Sequence, residues 1–362
     1  MIELKKVSKQ YGEVYAVREL DLHIAEGELV VLIGPSGCGK TTTLKMINRL
    51  IEPTDGAIFV DDKDTAQIDP QDLRRGIGYV IQSIGLFPHM SVQQNIGVVP
   101  ELLGWSKEKR AQRADELLSL IGLEPNRYRD AYPSELSGGQ QQRVGVARAL
   151  AVDPPVLLMD EPFGAVDPIA RDRLQDEFLR LQQQLKKTIV MVTHDIDEAI
   201  KMGDRICVMN AGQIEQYDTP EVLLSKPKSK FVREFVGADR ALKRLSRVSV
   251  KDLMGEVTSI DVDATLAEAE VLLKQSPTLY ITENAQLRGW LDAKALAHYD
   301  SLREAYTQVD SEYAVNAHDD ARSVVSKMLG EGVLSLPVVS DDGELLGVIE
   351  LTRIIESMGE TP

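Results

Sequence analysis

Cysteine is scarce in this 362-residue chain: there are two, Cys38 and Cys207, far apart and in no metal-ligand spacing. That leaves no basis for a disulfide framework or a cysteine-built zinc site, and a reduced, cytosolic compartment is expected. Long apolar runs are missing too. No stretch of about 18 apolar residues occurs, and Met1-Ile2-Glu3-Leu4-Lys5-Lys6 lacks the apolar centre of a signal peptide. The chain is therefore not expected to cross a membrane by itself; if it serves one, another subunit crosses. Positive charge is also short. Lys and Arg number 41 against 57 Asp and Glu, a net −16, and residues 245–362 hold 9 of the former and 21 of the latter. Nonspecific nucleic-acid binding needs cationic surface to release counterions, so no nucleic-acid partner is expected.

What is present fits a globular protein. Apolar residues make up 43% and charged ones 27%, and the length suits about two or three domains. Up to about residue 236, short β-branched runs alternate with helical patterns, as α/β units do. Pro155-Val156-Leu157-Leu158-Met159 and Thr188-Ile189-Val190-Met191-Val192 are continuous apolar runs, the mark of strands buried on both faces. Ser91 with Gln94, and Asp195 with Glu198, have capping-box spacing. Asp167-Pro168 sets a capping residue before an N1 proline. The domains are placed at 1–236, then a basic linker at 237–247, then two weakly similar halves at 248–305 and 306–362. Thr258–Val262 precedes a helical pattern in the first half, capped by Thr265 with Glu268; Tyr313–Ala317 precedes one in the second. A strand pair follows in each: Leu279–Ile281 with Gly289–Leu291, and Leu336–Val339 with Gly347–Ile349. Two β-α-β-β-α units are expected.

Gly34-Pro35-Ser36-Gly37-Cys38-Gly39-Lys40-Thr41 matches G-x-x-x-x-G-K-[ST] between a strand and a helix. Glycines let backbone amides turn inward around phosphate oxygens, and the helix N-terminus adds favourable dipole charge. Lys40 can reach the β- and γ-phosphates, and the Thr41 hydroxyl can ligate magnesium; Thr42 extends the cradle. The apolar run ending at Met159 delivers Asp160 to hold the metal, and Glu161 as general base for the attacking water. Leu136-Ser137-Gly138-Gly139-Gln140 opens a long helical pattern. Ser137 is a good N-cap, and paired glycines leave the amides bare for an anion.

Taken in order, these segments resemble the ABC-transporter ATPases over essentially all of residues 1–236. The matches are the phosphate loop, Gln82 after Gly78-Tyr79-Val80-Ile81, Leu136–Gln140, Asp160-Glu161, Gly164-Ala165-Val166-Asp167, and His194 in Val192-Thr193-His194-Asp195. The resemblance implies an α/β cassette with a RecA-like core, a helical subdomain and an antiparallel β subdomain. It implies ATP and Mg²⁺ as cofactors. Tyr11 would stack on adenine; Gln82 would ligate magnesium and report the γ-phosphate; His194 would contact that phosphate. Two cassettes would pair head to tail, with Ser137, Gly138, Gly139 and Gln140 of one capping the ATP of the other and Asp167 at the interface. Gly164 and Val166 depart mildly from the commonest form of their segment, a change not expected to abolish activity.

Met46–Pro53 and Glu161–Ala165 resemble more narrowly the ATPases of quaternary-amine importers for glycine betaine, carnitine or choline. Leu86, Phe87 and Met90 look like the socket for a permease's coupling helix, with plain core packing as the alternative. An extracytoplasmic solute-binding protein would act through that permease, with this subunit peripheral on the cytoplasmic face of the cell membrane. Leu336–Val339 with Leu345–Ile349 resembles a CBS domain, so a tandem CBS (α+β) domain is expected, its first copy weaker by about three residues before Leu279. Where CBS domains hold adenosine nucleotides, this chain has Asp292 with Ala295 and Glu350 with Arg353. Acidic side chains there repel phosphate, so AMP is not expected in the common mode, and cyclic di-AMP is the leading candidate. Other readings are an importer ATPase for an amino acid, a nucleotide sensor without turnover, and an ATPase of DNA repair or translation. Intact Glu161 and His194 argue against the second. The single cassette without zinc or coiled-coil insertion argues against the third.

Overall fold

A computed structural model describes residues 1–359 apart from 82–84, 165, 238, 277, 297, 300 and 310–312. The chain divides into two compact units, Met1–Ala238 and Asp239–Pro362. Among the described residues no helix is long and apolar enough to cross a membrane.

The strands of the first unit are, in chain order, β1 (Ile2–Tyr11), β2 (Val14–Ile24), β3 (Leu29–Ile33), β4 (Asp55–Val60), β5 (Lys63–Asp64), β6 (Ile77–Val80), β7 (Val156–Asp160), β8 (Thr188–Val192), β9 (Arg205–Asn210) and β10 (Gln213–Asp218). They make two sheets. One is antiparallel, ordered β2-β1-β4-β5; the other is ordered β10-β9-β3-β8-β7-β6 and is parallel except where β10 meets β9. Every residue of β3, β7 and β8 is buried, as their unbroken apolar runs require. Strand β3 shows how one strand serves two cores. Leu29, Val31 and Ile33 join a cluster with Ile96, Leu117 and Val144 of the helical layer. Val30 and Leu32 face the other way, joining Leu44 and the Ile2, Leu4 and Ile24 side chains of the antiparallel sheet. Burying each such side chain contributes about 1.5–3 kcal/mol, and a shift of one residue along β3 would exchange its two faces.

The helical layer comprises Val92–Leu102, Lys107–Leu120 and Gly138–Ala149, packed on one another. Ser91 and Gln94 form the expected capping box. The Asp195–Glu198 pair does so by half. Asp195 accepts the amides of Asp197 and Glu198, but the Glu198 side chain does not return; it turns inward to Thr193 and Gln175.

The second unit repeats one topology. Its strands are β11 (Ser259–Asp261), β12 (Leu279–Glu283), β13 (Gln286–Leu291), β14 (Thr307–Gln308), β15 (Val315–Asn316), β16 (Ser335–Val339) and β17 (Leu345–Glu350). Strands β11 and β12 pair in parallel and β12 and β13 antiparallel; β15, β16 and β17 do the same. The first repeat's helix, Leu266–Leu273, starts with a Thr265–Glu268 capping box and is shorter than its counterpart Ala321–Glu331. The sequence reads residues 237–247 as a linker. They contain a helix, Arg240–Leu245, whose Leu245 is buried with Val250 in the core of the second repeat. Ser249 bridges Asp320 and Gly255 bridges Val348, so the start of the half expected at 248–305 packs with the second half. Local pattern could not reveal this, because the partners lie at opposite ends of the unit.

Candidate active site

Parallel strands β3, β8 and β7 are neighbours, so their carboxyl ends open on one edge, where ligands of such sheets bind. From β3 the chain enters the loop Gly34–Gly39. Gly34, Gly37 and Gly39 have φ of +147°, +79° and +105°, values that L side chains avoid. A Cβ on Gly34 would fall 2.1 Å from the Met209 carbonyl oxygen, and one on Gly39 2.4 Å from that of Ala16. The loop is thus locked in a shape only glycine permits. Pro35, Ser36 and Gly37 are exposed, whereas Cys38, Gly39 and Lys40 are buried. The Lys40 ammonium donates to the carbonyls of Gly34 at 2.7 Å and Pro35 at 3.0 Å, so its charge is held within the loop. Thr41 and Thr42 follow, half-buried, in the first turn of the Lys40–Ile47 helix.

Thr41 Oγ1 donates to Asp160 Oδ1 at 3.1 Å. Burial raises the Asp160 carboxyl above its ordinary range; Thr41, Lys45 and Lys40 oppose the rise and Glu161 adds to it. Glu161 has φ +46°, a strain of about 1–3 kcal/mol of the kind that gathers at functional sites. Its N–H donates to the Val192 carbonyl at 2.9 Å, which carries the β7–β8 pairing one residue further. His194 Nδ1 lies 3.5 Å from Glu161 Oε2; the imidazole is 69% exposed and the carboxylate 22%. The paired oxygens and the carboxylate–imidazole pair therefore stand at the ends of adjacent strands, beside the loop.

The other expected residues are placed as follows. Tyr11, at the end of β1, is 51% exposed with Lys9 Nζ 5.1 Å from its ring centre. Ser137 caps the Gly138–Ala149 helix in a box with Gln140, whose Nε2 donates to the Tyr128 hydroxyl at 3.1 Å. Ser137 and Gly138 are exposed. A Cβ on Gly138 would meet nothing within 4 Å, and one on Gly139 only Leu174 at 3.5 Å. The Ser137 N–H donates to Gln140 Oε1 at 2.9 Å, and among the described residues no bond joins Ser137, Gly138 or Gly139 to the phosphate loop. Asp167 precedes the Pro168–Leu185 helix and accepts the Arg171 N–H at 2.9 Å. Gln82 lies outside the described residues, as does Ala165.

Two supporting residues were not singled out from the sequence. Asn95 is fully buried and clamps the loop before its helix: it accepts the Phe87 N–H at 2.8 Å and donates to the carbonyls of Phe87, Met90 and Ser91. Arg148 donates to the Gly85 carbonyl at 2.7 Å and lies 5.9 Å from the Phe87 ring centre; burial lowers the pKa of its guanidinium. Between them Phe87 stays 40% exposed, Met90 is half-buried and Leu86 packs on the core. An amide among the apolar helix positions Val92 and Ile96 was the visible hint for Asn95; its partners were not.

Fold and loop together define a phosphate-loop nucleotide-binding ATPase. Residues 17–164 match the model of the ABC transporter family, and residues 309–360 that of the CBS domain. The chain is 47% identical to the glycine betaine/carnitine/choline transport ATP-binding protein OpuCA of Bacillus subtilis (strain 168), over 98% of this chain and 96% of that one. It is 48% identical to the choline transport ATP-binding protein OpuBA of the same organism, with the same coverage of both. Among solved structures it is similar to the ATP-binding cassette MJ0796 in a dimeric post-hydrolysis state bound to ADP and Pi, at 38% identity and a TM-score of 0.54, covering 60% of this chain and 98% of that one. The chain belongs to the ABC transporter family, as an ATP-binding subunit with a CBS domain after its cassette.

Proposed function

We propose that this subunit energises import of a quaternary-amine osmoprotectant, such as glycine betaine, carnitine or choline, by binding and hydrolysing ATP between two copies of itself. The observation that carries the reading is the convergence of the Thr41–Asp160 and Glu161–His194 pairs beside the phosphate loop. The solute class rests on likeness to the transport subunits named above.

Loop amides of Gly34 to Thr42 and the Lys40 ammonium hold the β- and γ-phosphates, exchanging loop carbonyls for phosphate oxygens. Thr41 and Asp160 are hard oxygen donors on one another's doorstep, a set that suits Mg²⁺, with Gln82 as a third. Bound magnesium would neutralise charge that builds up on the phosphates. Glu161 takes the proton of the attacking water, and His194 steadies the γ-phosphate. Exposed Tyr11 offers its face to adenine. Ser137, Gly138, Gly139 and Gln140 of the second copy close the site from the other side, with Asp167 at the seam.

Leu86, Phe87 and Met90 receive the permease, which in turn meets the solute-binding protein; the subunit thus sits peripherally on the cytoplasmic face of the membrane. The second unit is read as regulatory, with cyclic di-AMP the ligand to try first. Asp292 does not wait for a nucleotide there: its carboxylate accepts the amides of Lys294 and Ala295 at 2.9 and 2.8 Å. The test is uptake of labelled glycine betaine, choline and proline in cells lacking their own osmoprotectant importers, supplied with this subunit, its permease and its binding protein. Osmotically stimulated quaternary-amine uptake, abolished by Lys40→Ala, is expected. Uptake of an amino acid alone would overturn the solute assignment.

A further inference from the structure

Glu198 is 6% exposed, lies in the first turn of the Ile196–Met202 helix, and has no part in the chemistry above. Its two carboxylate oxygens have separate donors. Thr193 Oγ1 donates to Oε2, and Gln175 Nε2 donates to Oε1 at 3.1 Å. Thr193 Oγ1 also accepts the Asp195 N–H at 3.1 Å, and Asp195 Oδ1 accepts the Asp197 and Glu198 amides at 2.9 and 3.3 Å. His194 stands between Thr193 and Asp195, so its backbone is pinned on both sides while its imidazole stays exposed.

The other end of this chain of bonds is a different element. Gln175 belongs to the Pro168–Leu185 helix, which begins directly after Asp167. Arg171 of that helix donates to the Val166 carbonyl at 3.0 Å and comes within 3.9 Å of Asp195. The helix thus touches both the Val166–Asp167 segment and the His194 turn.

We propose that Glu198 is a positioning residue for His194, tying the turn that carries the imidazole to the helix that follows Asp167. The inference rests on the reading that His194 acts at the γ-phosphate. A carboxylate is required because it accepts on both oxygens at once. The isosteric amide accepts on one and presents N–H groups on the other, so either Thr193 or Gln175 loses its acceptor in a buried place. The turn then samples other conformations, and turnover falls without loss of ATP affinity.

The experiment is steady-state magnesium-dependent ATPase activity of the full-length chain, with thermal melting of each variant alongside. E198Q should lower kcat roughly tenfold with KM for ATP within about twofold. Adding Gln175→Glu should restore kcat to within about threefold, because the new amide at 198 donates to the new carboxylate and still accepts from Thr193. This exchange is also the variant to rely on if E198Q alone unfolds. In a His194→Ala background, E198Q should lower kcat no further, since the group it positions is gone. A reduced kcat in His194→Ala that falls by the same factor again on adding E198Q overturns the inference alone. Parental turnover in His194→Ala overturns the reading of His194 and the inference with it. A well-folded exchange variant that stays tenfold impaired also overturns the inference.

Discussion

Two glycine-bearing helix starts lie in the cassette, and they are built on opposite terms. In the phosphate loop, Gly34 and Gly39 are demanded by the chain itself, through backbone angles and carbonyl oxygens that leave no room for a methyl group. At the Ser137–Gln140 helix start, Gly138 has open space where a side chain would go. Among the described residues nothing in the fold requires glycine there. The first turn is a finished half-site; the second leaves open space on its outer side, which the proposed pairing of two copies would fill. The dimeric state of the related cassette MJ0796 fits this contrast.

The contrast can be pressed first through chemistry. Glu161→Gln should cut turnover about 10²–10⁴-fold while ATP binding persists, since the loop is untouched. The closed dimer should accumulate with ATP, read by light scattering; hydrolysis at the parental rate would remove Glu161 from its role. A second, smaller effect tests the finished half-site. Gly39→Ala should lose about 2–4 kcal/mol of stability in denaturant unfolding, and ATP binding with it, because both the Ala16 carbonyl and φ oppose the change. Unaltered unfolding would mean that the loop relaxes freely. The smallest energy belongs to the outward-facing half. Gly138→Ala should change stability by less than about 1 kcal/mol and leave ATP binding to the monomer intact, yet abolish the ATP-dependent dimer and lower turnover. Parental dimerisation and turnover would show that the bare turn faces nothing.

How far these features were legible follows the range of the forces involved. The phosphate loop could be read because its requirements are local: angles at three glycines, a lysine and a threonine in fixed spacing. Strands β7 and β8 could be read because burial on both faces leaves continuous apolar runs. The role proposed for Ser137 came only with resemblance to a family, since the ligand proposed for it would lie on another copy. Asn95 and Glu198 remained hidden for a related reason. Each is a polar residue whose meaning is its partners, the Phe87–Ser91 loop for one and Thr193 with Gln175 for the other. Capping-box spacing even misdirected Glu198, because a buried acceptor for two donors outweighs a local cap at the helix surface. The helix Arg240–Leu245 was missed because a basic stretch without strand signal looks like a linker until its Leu245 finds a core.

That last arrangement bears on how the protein is made. Leu245 and Val250 leave the ribosome before β11, but their packing partners, among them Val338 and Ile349, come near the end of the unit. Gly255 likewise waits for Val348 to complete its bridge. At about 5–20 residues per second during synthesis, the cassette can fold while this early segment is still without its core. Closing so long a loop is entropically slow, so the core around Leu245 and Val250 can be completed only once β16 and β17 have been made. Truncations that remove β17 should leave not a trimmed domain but an apolar segment exposed directly after the cassette, a target for chaperones and proteases.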